Sequence, residues 1–477
     1  MTRTGYERYL FAMCGIAGMI LGTGGGLVGV ALPYINQTSG FSPTQLSTVG
    51  AALILGTIPG NFIGSWAVEK LGRVKAMRLG ATFFLLGIPL ICLSSGLFLL
   101  MAAGLFLQGV SCGTIAISGP MFLAECLPAE KRGRGAGMYQ LILVCGLLAA
   151  MLLGVAVSGA FGAADAADVS AATKTVIWKS LFCFAAVPGA MLFLGTLLLR
   201  ESPRWLYRRG RADEAMASLL AGMDEAAAKV VYDEIVASAA SDGKAKGEGA
   251  GVVKESVFQR RYMIPFVLVW ICIVCVQLTG WSLMQTYPVM IFQKAGLSGI
   301  WANWASSAIM AIMVVMTVIS CKLIDSRGRK FILTLGTGGL IVGLLAVGTT
   351  FLVIARAGVA PSAVTGLIVL AAFLLYVASF AIGPGVIAGL IAAEMLPTRI
   401  RSVGMLIATI CNGFAAWGIA QLYLPWADRF GEASVFYTLT AFMVVFFLVT
   451  VLFVPETKGK TLEEIERHFA GEGKVKA

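Results

Sequence analysis

The sequence predicts an all-α membrane protein with twelve transmembrane helices in two groups of six and a small helical segment between them. Three observations carry that prediction. Of 477 residues, 58% are apolar and only 13% charged, and the mean hydropathy is +0.86, which sets the chain apart from soluble proteins of its length. Apolar runs of the roughly 20 residues needed to cross a hydrocarbon core as a helix recur along nearly the whole chain. One long polar stretch, 200–258, divides these runs into equal sets.

The first six spans are expected at 10–33, 45–68, 77–96, 98–124, 136–159 and 178–199, separated by short polar breaks. The first lacks the charged start, short apolar core and small-residue cleavage site of a secretory signal, so it is read as a full span. The second six are expected at 262–292, 299–323, 332–354, 363–393, 402–424 and 433–454. Four segments result: a six-helix unit over 1–199, a linker over 200–258, a second six-helix unit over 259–454 and a tail over 455–477. In the linker, a charged amphipathic pattern around Ala212 to Ala239 predicts a few short helices, and the Gly/Lys-rich run from Ser241 predicts a flexible stretch. That segment is too small and polar for a catalytic domain.

The net charge of +11 does not read as a nucleic-acid footprint, because Lys and Arg alternate between loops instead of forming one patch. Lys70, Arg73, Lys75 and Arg78 are followed by Lys131, Arg132 and Arg134, then the basic linker, then Arg327, Arg329 and Lys330, then Arg399 and Arg401. The intervening loops hold isolated cations such as Lys174, Lys294, Arg356 and Arg429. The positive-inside rule therefore places both termini and the linker in the cytoplasm, in a multi-pass protein of a plasma or bacterial inner membrane. The ten cysteines lie in or beside apolar spans, and the one histidine, His468, is remote from the Cys272-x-x-Cys275 pair. No disulfide, metal centre or cofactor is expected.

Three polar signatures occur once in each half, in the same order, which is the trace of an internal duplication. An acid followed by Gly-Arg joins spans two and three as Glu69-Lys-Leu-Gly72-Arg73, and spans eight and nine as Asp325-Ser-Arg-Gly328-Arg329. E-x-x-P-x-x-x-R follows spans four and ten, as Glu125, Pro128 and Arg132 and as Glu394, Pro397 and Arg401. After spans six and twelve come Glu201-Ser-Pro-Arg204-Trp and Pro455-Glu456-Thr-Lys-Gly459. One such loop reads equally as a solvated turn whose charges set topology; three matched pairs on one side read as a gate. Acid–arginine pairs are readily broken and remade by rigid-body motion, so they are expected to hold the cytoplasmic faces of two bundles together in one state and release them in another.

Over almost its full length the chain resembles the sugar porter family of the major facilitator superfamily, which carries these paired loops. It departs at Arg200, where the family has proline, and at Val74, where a second arginine would follow Arg73. The resemblance implies two six-helix bundles related by a pseudo-two-fold axis, with substrate bound between them at mid-depth and no enzymatic step. It puts the family's helix-five glutamine on Gln140 and its helix-eleven asparagine on Asn412. The helix-seven pattern falls on Val276-Gln277-Leu278-Thr279-Gly280-Trp281-Ser282, which marks Gln277 and Ser282 as substrate contacts. Amides both donate and accept, which suits vicinal hydroxyls, and Asn412, eleven residues past Arg401, lies roughly 16 Å into the bilayer. The same residues also fit a role in joining helices. Other family contacts are replaced, by Met313, Ala381, Gly389 and Val276, so a less polar substrate than glucose fits the site.

In proton-coupled members the helix-one carboxylate and helix-four arginine align with Gly24 and Leu105. No other Asp or Glu lies deep in a span, so facilitated diffusion of a small neutral solute, a monosaccharide or polyol, is expected from a protein that works as a monomer. The alternatives are a proton-coupled sugar symporter, a carrier of another small organic metabolite, or a sugar sensor. An organic-acid carrier would want a mid-span cation, and none is present. Gly24-x-Gly26-x-x-Gly29 lies inside a span and lacks the strand a dinucleotide site needs. Gly280 and the Gly383-Pro384-Gly385 run are expected to interrupt helices seven and ten and serve as hinges.

Overall fold

The computed structural model describes residues 3–94, 96–127, 129–161, 169–248, 260–358, 360–396 and 401–456, and helix is the only regular secondary structure among them. The first half holds α1 (Arg3–Ser39), α2 (Pro43–Lys70), α3 (Arg73–Leu93), α4 (Phe98–Cys126), α5 (Ala129–Ala160) and α6 (Ala171–Gly195). Three helices cross the linker: α7 (Pro203–Arg208), α8 (Ala212–Gly222) and α9 (Glu225–Glu248). The second half holds α10 (Arg260–Leu278), α11 (Trp281–Thr286), α12 (Pro288–Lys294), α13 (Gly299–Arg327) and α14 (Arg329–Ala357). It continues with α15 (Ala363–Ile382), α16 (Pro384–Met395), α17 (Arg401–Phe430) and α18 (Glu432–Phe453). Twelve of the described helices are long and apolar enough to span a bilayer, so the fold is an all-α membrane protein of two six-helix bundles.

Local chemistry sets the helix starts. Ser42 opens α2 with a capping box, its hydroxyl accepting from Gln45 N at 3.3 Å while Gln45 Oε1 accepts from Ser42 N at 3.0 Å, and Ser362 opens α15 with Thr365 in the same way. Inside the first half, α2 and α3 both lie along α4, and α1 lies along α5 and α6. Glycine permits the closest approach: a Cβ on Gly56 would meet the Phe106 carbonyl of α4, and one on Gly109 the Leu53 carbonyl of α2. In the second half α14 lies between α15 and α18. The halves touch where α17 meets α2, α13 meets α5, and α11 and α12 meet α1.

Two spans are broken. Gly280, at φ 89°, separates α10 from α11, and Gly383 separates α15 from α16 just before Pro384. Each break strands a backbone carbonyl, and each finds a donor: Tyr376 Oη gives to Thr279 O at 3.1 Å, and Ser320 Oγ gives to Ile382 O at 2.9 Å. In the linker, α8 and α9 share a small core of Leu219, Ala228, Val231 and Ile235. There α9 runs on to Glu248 through the Gly/Lys-rich stretch expected to be flexible; its Lys, Ala and Glu residues favour helix enough to outweigh its two glycines.

Candidate functional site

Polar residues gather in three groups between the two faces of the molecule. At mid-depth, the break at Gly280 turns Ser282 so that its Oγ donates to Gln277 Oε1 at 3.3 Å. Gln277 is half-buried and Ser282 buried, while Gln140 is exposed on α5 and Asn412 half-buried on α17. Asn412 is close to the boundary, since a Cβ on the adjacent Gly413 would lie 2.8 Å from Ile58 Cγ1 of α2. Gln285, which sequence reasoning passed over, faces α1: its Nε2 is 3.8 Å from where Gly25 would carry a Cβ.

Around Gly24 the surroundings are apolar. A Cβ there would touch Cys112 Sγ at 3.4 Å, Phe84 Cε2 at 3.5 Å and Leu53 Cδ1 at 3.7 Å, and Leu105 is fully buried. A carboxylate at position 24 would face no cation among these neighbours.

On the face that carries the Arg-rich loops, Glu201 Oε1 accepts from Arg73 N at 2.8 Å, and its carboxylate also takes Val74 N at 3.2 Å. The carboxylate thus caps the first turn of α3, where unpaired N–H groups and the helix dipole both favour an anion. The second half repeats the device: Glu456 accepts from Arg329 N at 2.9 Å and Lys330 N at 3.1 Å at the start of α14. Arg73 is buried and pairs with Glu125 Oε1 at 2.6 Å while giving Nη1 to Val68 O at 2.9 Å. Ser202 donates to the other oxygen of Glu125.

Each of these bonds ties elements of one half together. The expected gate holds the bundles together in one state and releases them in another; in this state Arg73, Glu125 and Glu201 take partners within their own bundle, from the turns next to the caps they build. Glu69 has an exposed side chain; its carbonyl accepts instead, from Trp205 Nε1 and Arg209 Nη2, both at 2.9 Å. The side chains of Arg132, Asp325, Glu394 and Arg401 lie outside the described residues.

At the opposite face the halves are bolted together. Ser158 Oγ of α5 lies 2.7 Å from Tyr34 Oη of α1 and accepts from Asn303 Nδ2 of α13 at 3.3 Å. Gln421 Nε2 of α17 donates to Thr48 Oγ1 of α2 at 3.0 Å. Gly29 and Gly50 let α1 and α2 press on Gln285, Thr286, Tyr287 and Pro288. Toward the Arg-rich face, a cleft of about 220 Å³ is lined by Ile58, Asn61 and Ser65 of α2 and by Met405 and Thr409 of α17, with the exposed Phe62 and Leu406 at its rim.

Comparison with known proteins matches residues 11–469 to the family described as sugar (and other) transporter. Sugar transporter ERD6-like 6 of Arabidopsis thaliana is 31% identical over 91% of this chain and 84% of its own length. The galactose-proton symporter of Escherichia coli (strain K12) is 28% identical over 96% of this chain and 93% of its own. In fold, the chain is similar to the inward-open xylose transporter XylE from E. coli, with a TM-score of 0.79 at 21% identity over 96% of this chain and 98% of that one.

Proposed function

The chain belongs to the sugar (and other) transporter family, and from that membership we propose that it moves a neutral monosaccharide or polyol by alternating access, as a facilitator. The asymmetry of the boundary between the halves carries this reading. One face is closed by the Tyr34–Ser158–Asn303 and Gln421–Thr48 bonds, while toward the other a cleft lies between α2 and α17. A carrier needs such a state and its mirror, reached by rocking one bundle on the other. Under the positive-inside rule, the alternation of basic and bare loops favours a cytoplasmic side for the cleft and for both termini. Gln140, Gln277, Ser282 and Asn412 supply neutral donors and acceptors for hydroxyl groups, and a path enclosed within one chain lets a monomer work alone. Within the gate, the charges of the paired loops, Glu69, Arg73, Glu125, Arg132 and Glu201 in one half and Asp325, Arg329, Glu394, Arg401 and Glu456 in the other, exchange partners to join the bundles when the cleft closes.

The facilitator reading is supported by the apolar packing around Gly24 and Leu105 and by a sequence with no Asp or Glu deep within a span. Relatives that include galactose-proton and arabinose-proton symporters favour the second reading, proton symport. A pH electrode in a lightly buffered suspension of proteoliposomes separates the two. Sugar entry with no change in external pH, levelling off at equal concentrations inside and out, is expected; alkalinisation in step with sugar entry would establish symport.

A further inference from the structure

We propose that Trp281 and Gln285 of α11 form a wall of the substrate site that selects a cyclic pyranose over an open-chain polyol. The inference rests on the sugar-carrier reading above and narrows its substrate class. Residues four apart share a helix face, so Trp281 and Gln285 look the same way, one turn apart. Gln285 fixes the direction: its amide nitrogen comes within 3.8 Å of the Cβ position of Gly25 on α1, across the boundary between the halves. Gly25 carries no side chain opposite that amide, while its neighbours Gly24 and Gly26 pack into their own bundle.

Trp281 is held rigidly. Its ring stacks on Phe380 with centroids 4.6 Å apart and planes 6° from parallel. Phe380 is itself buried and lies 13° from parallel with Tyr376 at 6.5 Å, and Tyr376 Oη is tied to Thr279 O at the helix break. The indole is thus anchored through one face and remains half-buried overall. Next to it, Ser282 occupies Gln277 Oε1, which orients that amide to present its NH2 group.

A flat, fixed aromatic beside two amides matches a pyranose. The ring's C–H face covers an aromatic surface with little loss of hydroxyl hydration, and an amide can bond two vicinal hydroxyls at once. An open-chain polyol has no flat apolar face and loses more rotamer freedom on binding. The aromatic wall therefore discriminates by shape.

Initial-rate uptake of D-glucose, D-galactose and D-xylose against sorbitol and xylitol, in proteoliposomes of wild type, Trp281→Phe, Trp281→Leu and Gln285→Leu, tests the proposal. Wild type should favour the pyranoses, and Trp281→Leu should lower that preference about tenfold, mainly through a higher KM, as expected for loss of one shaped contact. Trp281→Phe, which can keep the stack on Phe380, should retain most of the preference and guards against a simple folding defect. Gln285→Leu should raise KM for pyranoses with the maximal rate retained. A polyol preference in the wild type, or a selectivity that Trp281→Leu leaves untouched, would overturn the proposal while leaving a sugar carrier in place. Transport of neither class would remove both.

Discussion

Gly72 and Gly328 hold the same post in the two halves. Each precedes a helix at positive φ, 101° and 90°, and at each a Cβ would run into a carboxylate, that of Glu201 or of Glu456. Gly72→Ala and Gly328→Ala must therefore strain the backbone, by about 1–3 kcal/mol, and displace a helix cap as well. Their apparent melting temperatures in detergent should fall, while that of Gly137→Ala should not, since a Cβ there meets nothing within 4 Å. The acid that pairs with Arg73 matters for another reason. With side-chain exposures of 7% for Arg73 and 15% for Glu125, Glu125→Ala leaves a guanidinium buried without its counter-charge, a loss on the order of 3–5 kcal/mol for a buried pair. Glu69→Ala, at an exposed side chain, should stay within about 0.5 kcal/mol, and thermal unfolding of the two variants side by side checks the contrast. The sequence motif named Glu69 and Glu125 with equal weight; only the tertiary fold separates a carboxylate in solvent from one locked against Arg73.

At the scale of the helix, the breaks in the seventh and tenth spans are where movement is expected. Gly383 sits so close to α14 that a Cβ would lie 2.8 Å from Gly336 Cα, and Gly385 follows Pro384 on the other side of the break. If these positions flex during the cycle, Gly383→Ala and Gly385→Ala should slow turnover several-fold while leaving substrate affinity near that of the wild type. Unchanged transport in both would show that the break is a fixed bend. The spans themselves were legible because each is a long apolar run, and the breaks because glycine and proline interrupt those runs. What the sequence hid are contacts between distant segments. Glu201 caps a helix start 128 residues away, and Gln285 was passed over because nothing local shows that its face meets Gly25 of α1. Hydrophobic periodicity reports which face is buried, not which helix buries it.

For the whole molecule, the account requires that the closed face open and the cleft close in turn. The Ser158–Asn303 bond joins α5 to α13 across the boundary, so it must break once per cycle. The two side chains meet at 3.3 Å, so cysteines placed at both positions face each other across the boundary. The same seal explains why the polar residues at the ends of α1, α5 and α13 were not recognised as functional: Tyr34, Ser158 and Asn303 are ordinary helix residues until the halves meet. The most direct measurement is counterflow in proteoliposomes preloaded with unlabelled pyranose, using the variant Ser158→Cys/Asn303→Cys under reducing and then oxidising conditions. The account predicts a transient overshoot of labelled sugar in the reduced protein, none after oxidation, and recovery when reductant is restored. An overshoot that persists with the two halves covalently joined at that face would contradict alternating access through this boundary.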